Sequence, residues 1–282
     1  MTISERMRVV PLDPAIEDSF LKFLKQDIIS NFFGLLDLKF HRDKSKFWIA
    51  LEGDEILGYL LEFDGKALTV RGAVKCTAEL LKNATLKQPL VGIEPKHLQI
   101  LGQFYKPVKP LLLIDHKIST LLSMEVDRQR FKPQIKHRPR KLTTDEYNAV
   151  GKLSMKFHQE LGLGIYPPSP ERMVETLKKG RLAYGIYEEG ELVSFACGGP
   201  NPVAENLSHV APVYTSPELR GRGYATSICS ALVDELLDKS EKVMLDVSKN
   251  NAAALRVYEK IGFTKTEHEF LAFWGRRMVR GN

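Results

Sequence analysis

The chain echoes itself, and that echo restricts its fold more than any other feature. "FWIALEGDEILGYLLEF" (47–63) resembles "AYGIYEEGELVSFACGG" (183–199); at an offset of 136, Glu52, Glu55, Leu57 and Tyr59 fall on Glu188, Glu191, Val193 and Phe195. Each segment reads as two apolar runs around a tight charged turn, the pattern of a β-hairpin. Each is preceded by a helical region and followed by further strand and helix signals. A chain of 282 residues has room for two domains. The expected fold class is therefore α+β, with two copies of one unit built from similar elements in similar order. The expected boundaries are an N-terminal lobe at 1–130, a basic linker or first strand at 131–141, and a second domain at 142–282.

Charge marks the join. Lys and Arg number 41 against 35 Asp and Glu, a net +6. Residues 1–130 hold 19 basic and 17 acidic residues, and 142–282 hold 17 and 18. The connector between them, "FKPQIKHRPRK", has five basic residues, no acidic ones and two prolines. So local an excess reads as a solvated linker or edge strand rather than a nucleic-acid arm. Three dispersed cysteines, Cys76, Cys197 and Cys229, suit buried free thiols and give no metal-ligand spacing. The N-terminus lacks a signal-peptide pattern, and no apolar run approaches the roughly 20 residues of a membrane span. The expectation is a cytoplasmic protein, monomer or homodimer, with no metal, nucleic-acid or membrane partner.

The second half is the more legible. Thr143 to Glu146 form a capping-box start, and Tyr147, Val150, Leu153, Phe157 and Leu161 then recur at helical spacing. "GLGIYPP" (162–168) ends that helix, and Ser169-Pro170 opens a short second one. A hairpin (181–198), a strand (207–215), a helix (222–238), a strand (242–247), a helix (252–260) and a β segment (263–274) follow. The helix after Arg222 has one apolar face, Ala225, Ile228, Cys229, Leu232 and Leu236, with Ser227, Ser230, Asp234, Glu235 and Asp238 outside it.

Chemistry concentrates where that helix begins. "RGRGYA" (220–225) joins two glycines and two arginines to a helix N-terminus. Free amides, the helix dipole, glycine's tolerance of positive φ and added positive charge together suit a diphosphate. Neither G-x-x-x-x-G-K-[ST] nor a full G-x-G-x-x-G is present, and the segment alone is equally consistent with a basic turn. Pro212 lies inside "HVAPVYT" and lacks the N–H of a central strand residue, which points to a bulge or a splayed edge.

In order, Arg220-Gly-Arg-Gly-Tyr-Ala225, Leu245-Asp-Val247 and "NAAALRVYEKIGF" (251–263) resemble the [Q/R]-x-x-G-x-[G/A] loop, the next strand and the N-x-x-A-x-x-x-Y-E-K-x-G-F helix of the GCN5-related N-acetyltransferase (GNAT) superfamily. The resemblance spans about 138–275. It implies two GNAT-like lobes, each a mixed, mostly antiparallel sheet flanked by helices, the second catalytic, with acetyl-CoA as co-substrate and an amine as acceptor. It places the pyrophosphate on the amides of Arg220, Gly221, Arg222, Gly223, Tyr224 and Ala225, with Thr226 in the first helical turn. Val213, Tyr214 and Thr215 lie beside the thioester. Tyr258 matches the family's general acid for the departing thiolate; the alternative is a core tyrosine packed near Phe263. Counting back to the strand glutamate of some relatives gives His209, a candidate base, with an ordered water or plain structural packing as the alternatives. Glu205 is a weaker candidate. Asn251 reads as a helix N-cap that also contacts the cofactor.

In the N-terminal half, Val70-Arg-Gly72 is at most a remnant of the loop, so that lobe is read as a degenerate copy without a cofactor site. An acceptor pocket is expected from the 161–169 loop and the 265–270 region, carrying Tyr166, Glu267 and His268. The implied activity is acetyl-CoA-dependent N-acetylation by direct amine attack. The rival reading is a non-catalytic acyl-CoA-binding regulatory module.

Overall fold

The computed structural model describes residues 7–110, 118–161 and 170–278; the expected helix end at 162–168 and Tyr166 lie outside them. In chain order the elements are β1 (Arg8–Pro11), α1 (Pro14–Gln26), α2 (Phe32–Phe40), β2 (Ser45–Glu52), β3 (Glu55–Phe63), β4 (Ala67–Gly72), α3 (Thr77–Lys82), β5 (Leu90–Ile93), α4 (Leu98–Leu101), β6 (Tyr105–Pro110) and β7 (Ser119–Asp127). There follow β8 (Arg140–Lys141), α5 (Tyr147–Leu161), α6 (Pro170–Lys178), β9 (Leu182–Glu188), β10 (Glu191–Pro200), β11 (Leu207–Thr215), α7 (Tyr224–Leu237), β12 (Lys242–Ser248), α8 (Ala252–Lys260) and β13 (Thr264–Arg277). Both expected hairpins form, as β2–β3 and β9–β10. No helix among the described residues is long and apolar enough to cross a membrane.

The chain divides into two compact units, and the division differs from the expected one. The first takes the described residues through Thr120 and also those from His268 onward; the second is Leu121–Glu267. Strand pairing is the reason. In the first unit β1, β2, β3 and β4 pair antiparallel in sequence and β4 pairs parallel with β5. The far side of β5 is closed by β13, from Leu271↔Ile93 to Trp274↔Leu90, and β13 also pairs with β6. Phe273 of β13 is fully buried in this unit's core with Leu60, Leu68, Val70, Leu80 and Tyr105.

The second unit repeats the strand order and senses. β8, β9, β10 and β11 pair antiparallel in sequence, and β11 pairs parallel with β12. The outer edge of β12 is closed by β7, from Lys242↔Asp127 to Ser248↔Leu121. α7 lies on one face of this sheet, burying Ile228, Leu232 and Leu236 against Met124, Val126, Val210, Val243 and Leu245. Each such side chain contributes about 1.5–3 kcal/mol. On the other face Val150 and Leu153 of α5 and Met173 and Leu177 of α6 pack against Phe195, Cys197 and Tyr214. α5 starts as its sequence predicts, with the Thr143 amide donating to Glu146 Oε2 at 3.0 Å.

Two residues of α7 depart from the expected pattern. Ser227 and Ser230 are fully buried rather than outward-facing. The 131–141 segment covers them, and their hydroxyls accept its amides: Gln134 N–H on Ser230 Oγ at 2.9 Å, Lys136 and His137 N–H on Ser227 Oγ at 3.0 and 3.3 Å. The basic segment is thus a strap fastened along α7 that ends as the edge strand β8.

Candidate active site

The site of the second unit begins with a failure of strand pairing. The β11–β12 ladder runs from Leu207↔Lys242 to His209↔Met244 and stops. On its other side β11 slips register against β10 between Val210↔Gly198 and Val213↔Ala196, so that Ala211 and Pro212 face Cys197 alone. Pro212 has no N–H to offer a ladder, and Arg181 Nη2 donates to the bulge carbonyl of Ala211 at 2.7 Å. The Ala211–Pro212 peptide is cis. Beyond this bulge Val213, Tyr214 and Thr215 continue without β12 beside them. The splay that Pro212 implied is present.

At the end of β11 the chain turns through Pro217–Leu219 into Arg220. Gly221 (φ +79°) and Gly223 (φ +91°) then take left-handed conformations, which side-chain-bearing residues rarely adopt. A Cβ built on Gly221 would meet nothing within 4 Å, so that face of the turn is open. Gly223 is the N-cap of α7, where no side chain caps the helix and no acidic residue occupies the first turn. The first amides of a helix have no acceptor within it. Those of Tyr224, Ala225 and Thr226 therefore present donors and the positive end of the helix dipole together.

The side chains around the loop hold it in place. Arg220 donates Nε to Thr215 O at 3.0 Å and Nη2 to Glu160 Oε2 at 2.6 Å, and its guanidinium lies 5.5 Å from the centre of the Tyr214 ring. Tyr214 donates its hydroxyl to Glu160 Oε1 at 2.5 Å. Burial raises the Glu160 carboxyl, but the hydrogen bonds from Tyr214 and Arg220 outweigh it and hold the group below its ordinary range. Thr215 Oγ1 lies 2.7 Å from Ser194 Oγ. Tyr224 is buried: its hydroxyl donates to Glu188 Oε1 at 2.6 Å and its ring meets His137 edge-on at 4.4 Å. What Tyr224 and Arg220 leave available to an anion is chiefly backbone. Arg222 is exposed beside the Tyr224 phenol.

Tyr258 projects from α8 into the core shared with α7, with 8% of its surface exposed. Phe263 lies 5.8 Å away in a tilted arrangement. Burial, with a smaller contribution from the Cys229 thiol, pushes the phenol above its ordinary value, so it stays protonated at neutral pH. Asn251 caps α8, its Oδ1 accepting the Ala254 amide at 3.1 Å.

His209 sits at the point where β11 and β12 part. Its Nε2 is 3.8 Å from Asp246 Oδ2, and Asp246 Oδ1 accepts the Ser123 hydroxyl. Sequence reasoning missed this Ser123–Asp246–His209 chain, because β7 and β12 meet only through the fold. The available signal was a polar Asp246 inside the apolar strand "VMLDV". Glu205 is exposed in the turn before β11.

The three cysteines are free and buried, and burial raises their thiols, Cys76 to about 11 and Cys197 and Cys229 to about 12. None is a nucleophile at neutral pH. His268, expected beside an acceptor pocket, lies in the first unit with Nδ1 3.2 Å from Ser30 Oγ and Nε2 3.7 Å from Asp27 Oδ1. Glu267 is exposed.

The first unit offers a contrast at the corresponding place. Its β4–β5 ladder ends at Val70↔Ile93, and beyond it Arg71 is 3% exposed. The guanidinium donates to Val70 O at 2.9 Å, Gly92 O at 3.0 Å and Ser30 O at 2.8 Å. A buried side chain fills the end of the ladder, and α3 is a short helix of six residues.

Comparison with known proteins agrees with this geometry. The model of the acetyltransferase (GNAT) family matches residues 148–263. A spermine/spermidine N(1)-acetyltransferase of Bacillus subtilis (strain 168) is 29% identical over 86 residues, covering 28% of this chain and 57% of its own length. The chain thus spans a little over half of that relative. A GCN5-related N-acetyltransferase from Sphaerobacter thermophilus superposes over 100% of this chain and 98% of its own, with a TM-score of 0.62 and 16% identity. A tandem GNAT protein from the clavulanic acid biosynthesis pathway covers 98% of this chain and 100% of its own, with a TM-score of 0.61 and 14% identity. These structural likenesses are ones of fold. Residues 148–263, with the open α7 N-terminus and the parted strands inside them, belong to the acetyltransferase (GNAT) family.

Proposed function

We propose that the protein is an acetyl-CoA-dependent N-acetyltransferase whose active site lies in the second unit. The observation that carries the proposal is the uncapped N-terminus of α7, reached through two left-handed glycines at the end of a splayed strand. The amides from Gly221 to Thr226 would hold the pyrophosphate. The backbone of Val213 to Thr215, released from β12, would run beside the pantetheine arm and thioester. The acceptor is a primary amine. The curated relative is named for spermine and spermidine, so polyamines head the acceptors to be tried.

The reaction needs a neutral amine, which attacks the thioester carbonyl carbon. A C–N bond forms, the tetrahedral intermediate collapses, and the C–S bond breaks. The thiolate takes the proton held by Tyr258. The proton lost by the amine passes to His209, oriented by Asp246, or to a water beside it. The first unit, with Arg71 in its ladder end, is a degenerate GNAT-like lobe without a second cofactor site.

The test is thiol release from acetyl-CoA with a panel that includes spermine, spermidine, amino acids and peptides. Turnover with at least one amine is expected. Tyr258→Phe should lower kcat about a hundredfold, the lower end of a general acid's contribution; undiminished turnover would remove that role. A CoA-dependent rise in Tm without thiol release for any amine would favour the binding-module reading.

A further inference from the structure

Ser123 is a fully buried serine on β7, between Leu122 and Met124. A hydroxyl closed off from water costs free energy unless it is hydrogen-bonded. The sheet register supplies its partner. Ser123 stands directly opposite Asp246 in the β7–β12 ladder, and its hydroxyl donates to Asp246 Oδ1. The Ser123 carbonyl in turn accepts the Thr266 hydroxyl at 3.2 Å. Asp246 lies two residues beyond Met244, the last β12 residue paired with β11, so it shares the face of Met244 at the point where the strands part. Its other oxygen, Oδ2, is 3.8 Å from His209 Nε2. At that distance the two groups attract electrostatically rather than through a hydrogen bond. The Asp246 side chain is 39% exposed, so water competes for both of its oxygens. The Ser123 hydroxyl, shut away from solvent, holds one oxygen to the ladder and leaves the other towards His209. Glu125, on the same face of β7, is instead paired with Lys242 at 2.8 Å. Arg181, packed on Gly199 opposite His209, gives its Nη2 to Ala211 O.

We infer that Ser123 is a positioning residue for deprotonation of the acceptor amine, acting through Asp246 on His209. The inference rests on the reading of the protein as an N-acetyltransferase with His209 as its base. As the amine nitrogen bonds to the thioester carbon, its N–H proton passes to the imidazole, and the imidazolium so formed faces Asp246 Oδ2. A carboxylate already held in place stabilises that charge without reorienting as it develops. One that turns into water stabilises it less and lets the ring adopt other orientations. Ser123 therefore contributes to the rate without touching either substrate. Two roles for its hydroxyl make different predictions. If it only satisfies a buried strand position, its loss costs the same whether or not His209 is present. If it positions the base, its loss slows the reaction only while His209 is there to be positioned.

A double-mutant cycle on the full chain tests the assignment, with thiol release from acetyl-CoA measured against spermine, spermidine, amino acids and peptides. Ser123→Ala should lower kcat about tenfold, the weight of one hydrogen bond to a charged group, with KM for acetyl-CoA and for the amine unchanged. His209→Ala should lower kcat about a hundredfold. Ser123→Ala/His209→Ala should be no slower than His209→Ala alone, the non-additivity of residues that act as one unit. Asp246→Asn should likewise lower kcat at constant KM and add nothing in the His209→Ala background. Independent losses that multiply in the double variant, a loss confined to KM, or full activity of Ser123→Ala would overturn the positioning role while leaving the acetyltransferase reading standing. So would full activity of His209→Ala, which removes the base itself. Absence of thiol release by the wild type with every amine would instead remove the acetyltransferase reading, and the role of Ser123 with it.

Discussion

Arg220 shows how a residue's type and its task can part. In the sequence it looks like a cation offered to phosphate; in the structure its donors go to Glu160 and Thr215 O. Its charge still contributes potential at the loop, but its hydrogen bonds build the loop. Glu146 plays a similar part at the start of α5, where its carboxylate accepts Arg140 Nη1 and Nη2, the Tyr187 hydroxyl and the Thr143 amide. Chiefly because of Arg140, its carboxyl is held at about 2, against an ordinary value of 4.5. A depressed folded-state value stabilises the protein above the ordinary value and ceases to do so as pH falls through the folded one. Arg140 is half exposed, so solvent screens the pair, and Glu146→Gln should cost about 1 kcal/mol at pH 7. The melting-temperature gap between wild type and variant should close as pH is lowered from 4.5 towards 2. A gap that persists at the acid end would refute the assignment. The capping role of Glu146 was legible because its partner is three residues away. The tasks of Arg220 and Asp246 were not, because their partners lie on other elements.

At the scale of elements, the hairpins and the helices α5, α7 and α8 were legible because their signals are local: apolar spacing, turns, caps and prolines. The strap was not, since Ser227 and Ser230 meet amides more than ninety positions away. A serine on a helix gives no hint of that. Its energetic weight can be measured. Ser227→Ala leaves the Lys136 and His137 amides without their shared acceptor, and a buried donor left unmade costs about 1–3 kcal/mol. Urea unfolding of the variant should show a loss in that range, with weaker coenzyme A binding as the strap loosens. Unchanged stability would mean that the strap is not held by this serine. Arg71 is the other element-scale lesson. The sequence suggested a vestigial loop there, and the structure shows the end of the ladder filled from within.

For the whole molecule, the repeat was legible but the borders were not. An apolar strand such as Leu271 to Trp274, buried at all four positions, suits any covered sheet edge, and nothing local to it names a partner. The second unit needs β7 and the strap, both upstream of residue 142, and β13 beyond Glu267 serves the first unit. A fragment of residues 121–267 should therefore unfold cooperatively, whereas 142–282, missing β7 and the strap, should aggregate or melt without a transition. Equal behaviour of the two by circular dichroism and light scattering would refute this assignment of edges. A fragment of residues 1–130 should likewise lack the Phe273 that its core buries. The same pairing has a consequence in time. On the ribosome the residues of β1 to β6 emerge early, but the strand that closes β5 is among the last of the described residues to be made. The half synthesised first is the half completed last, and until then its unfinished edge is what a chaperone would meet.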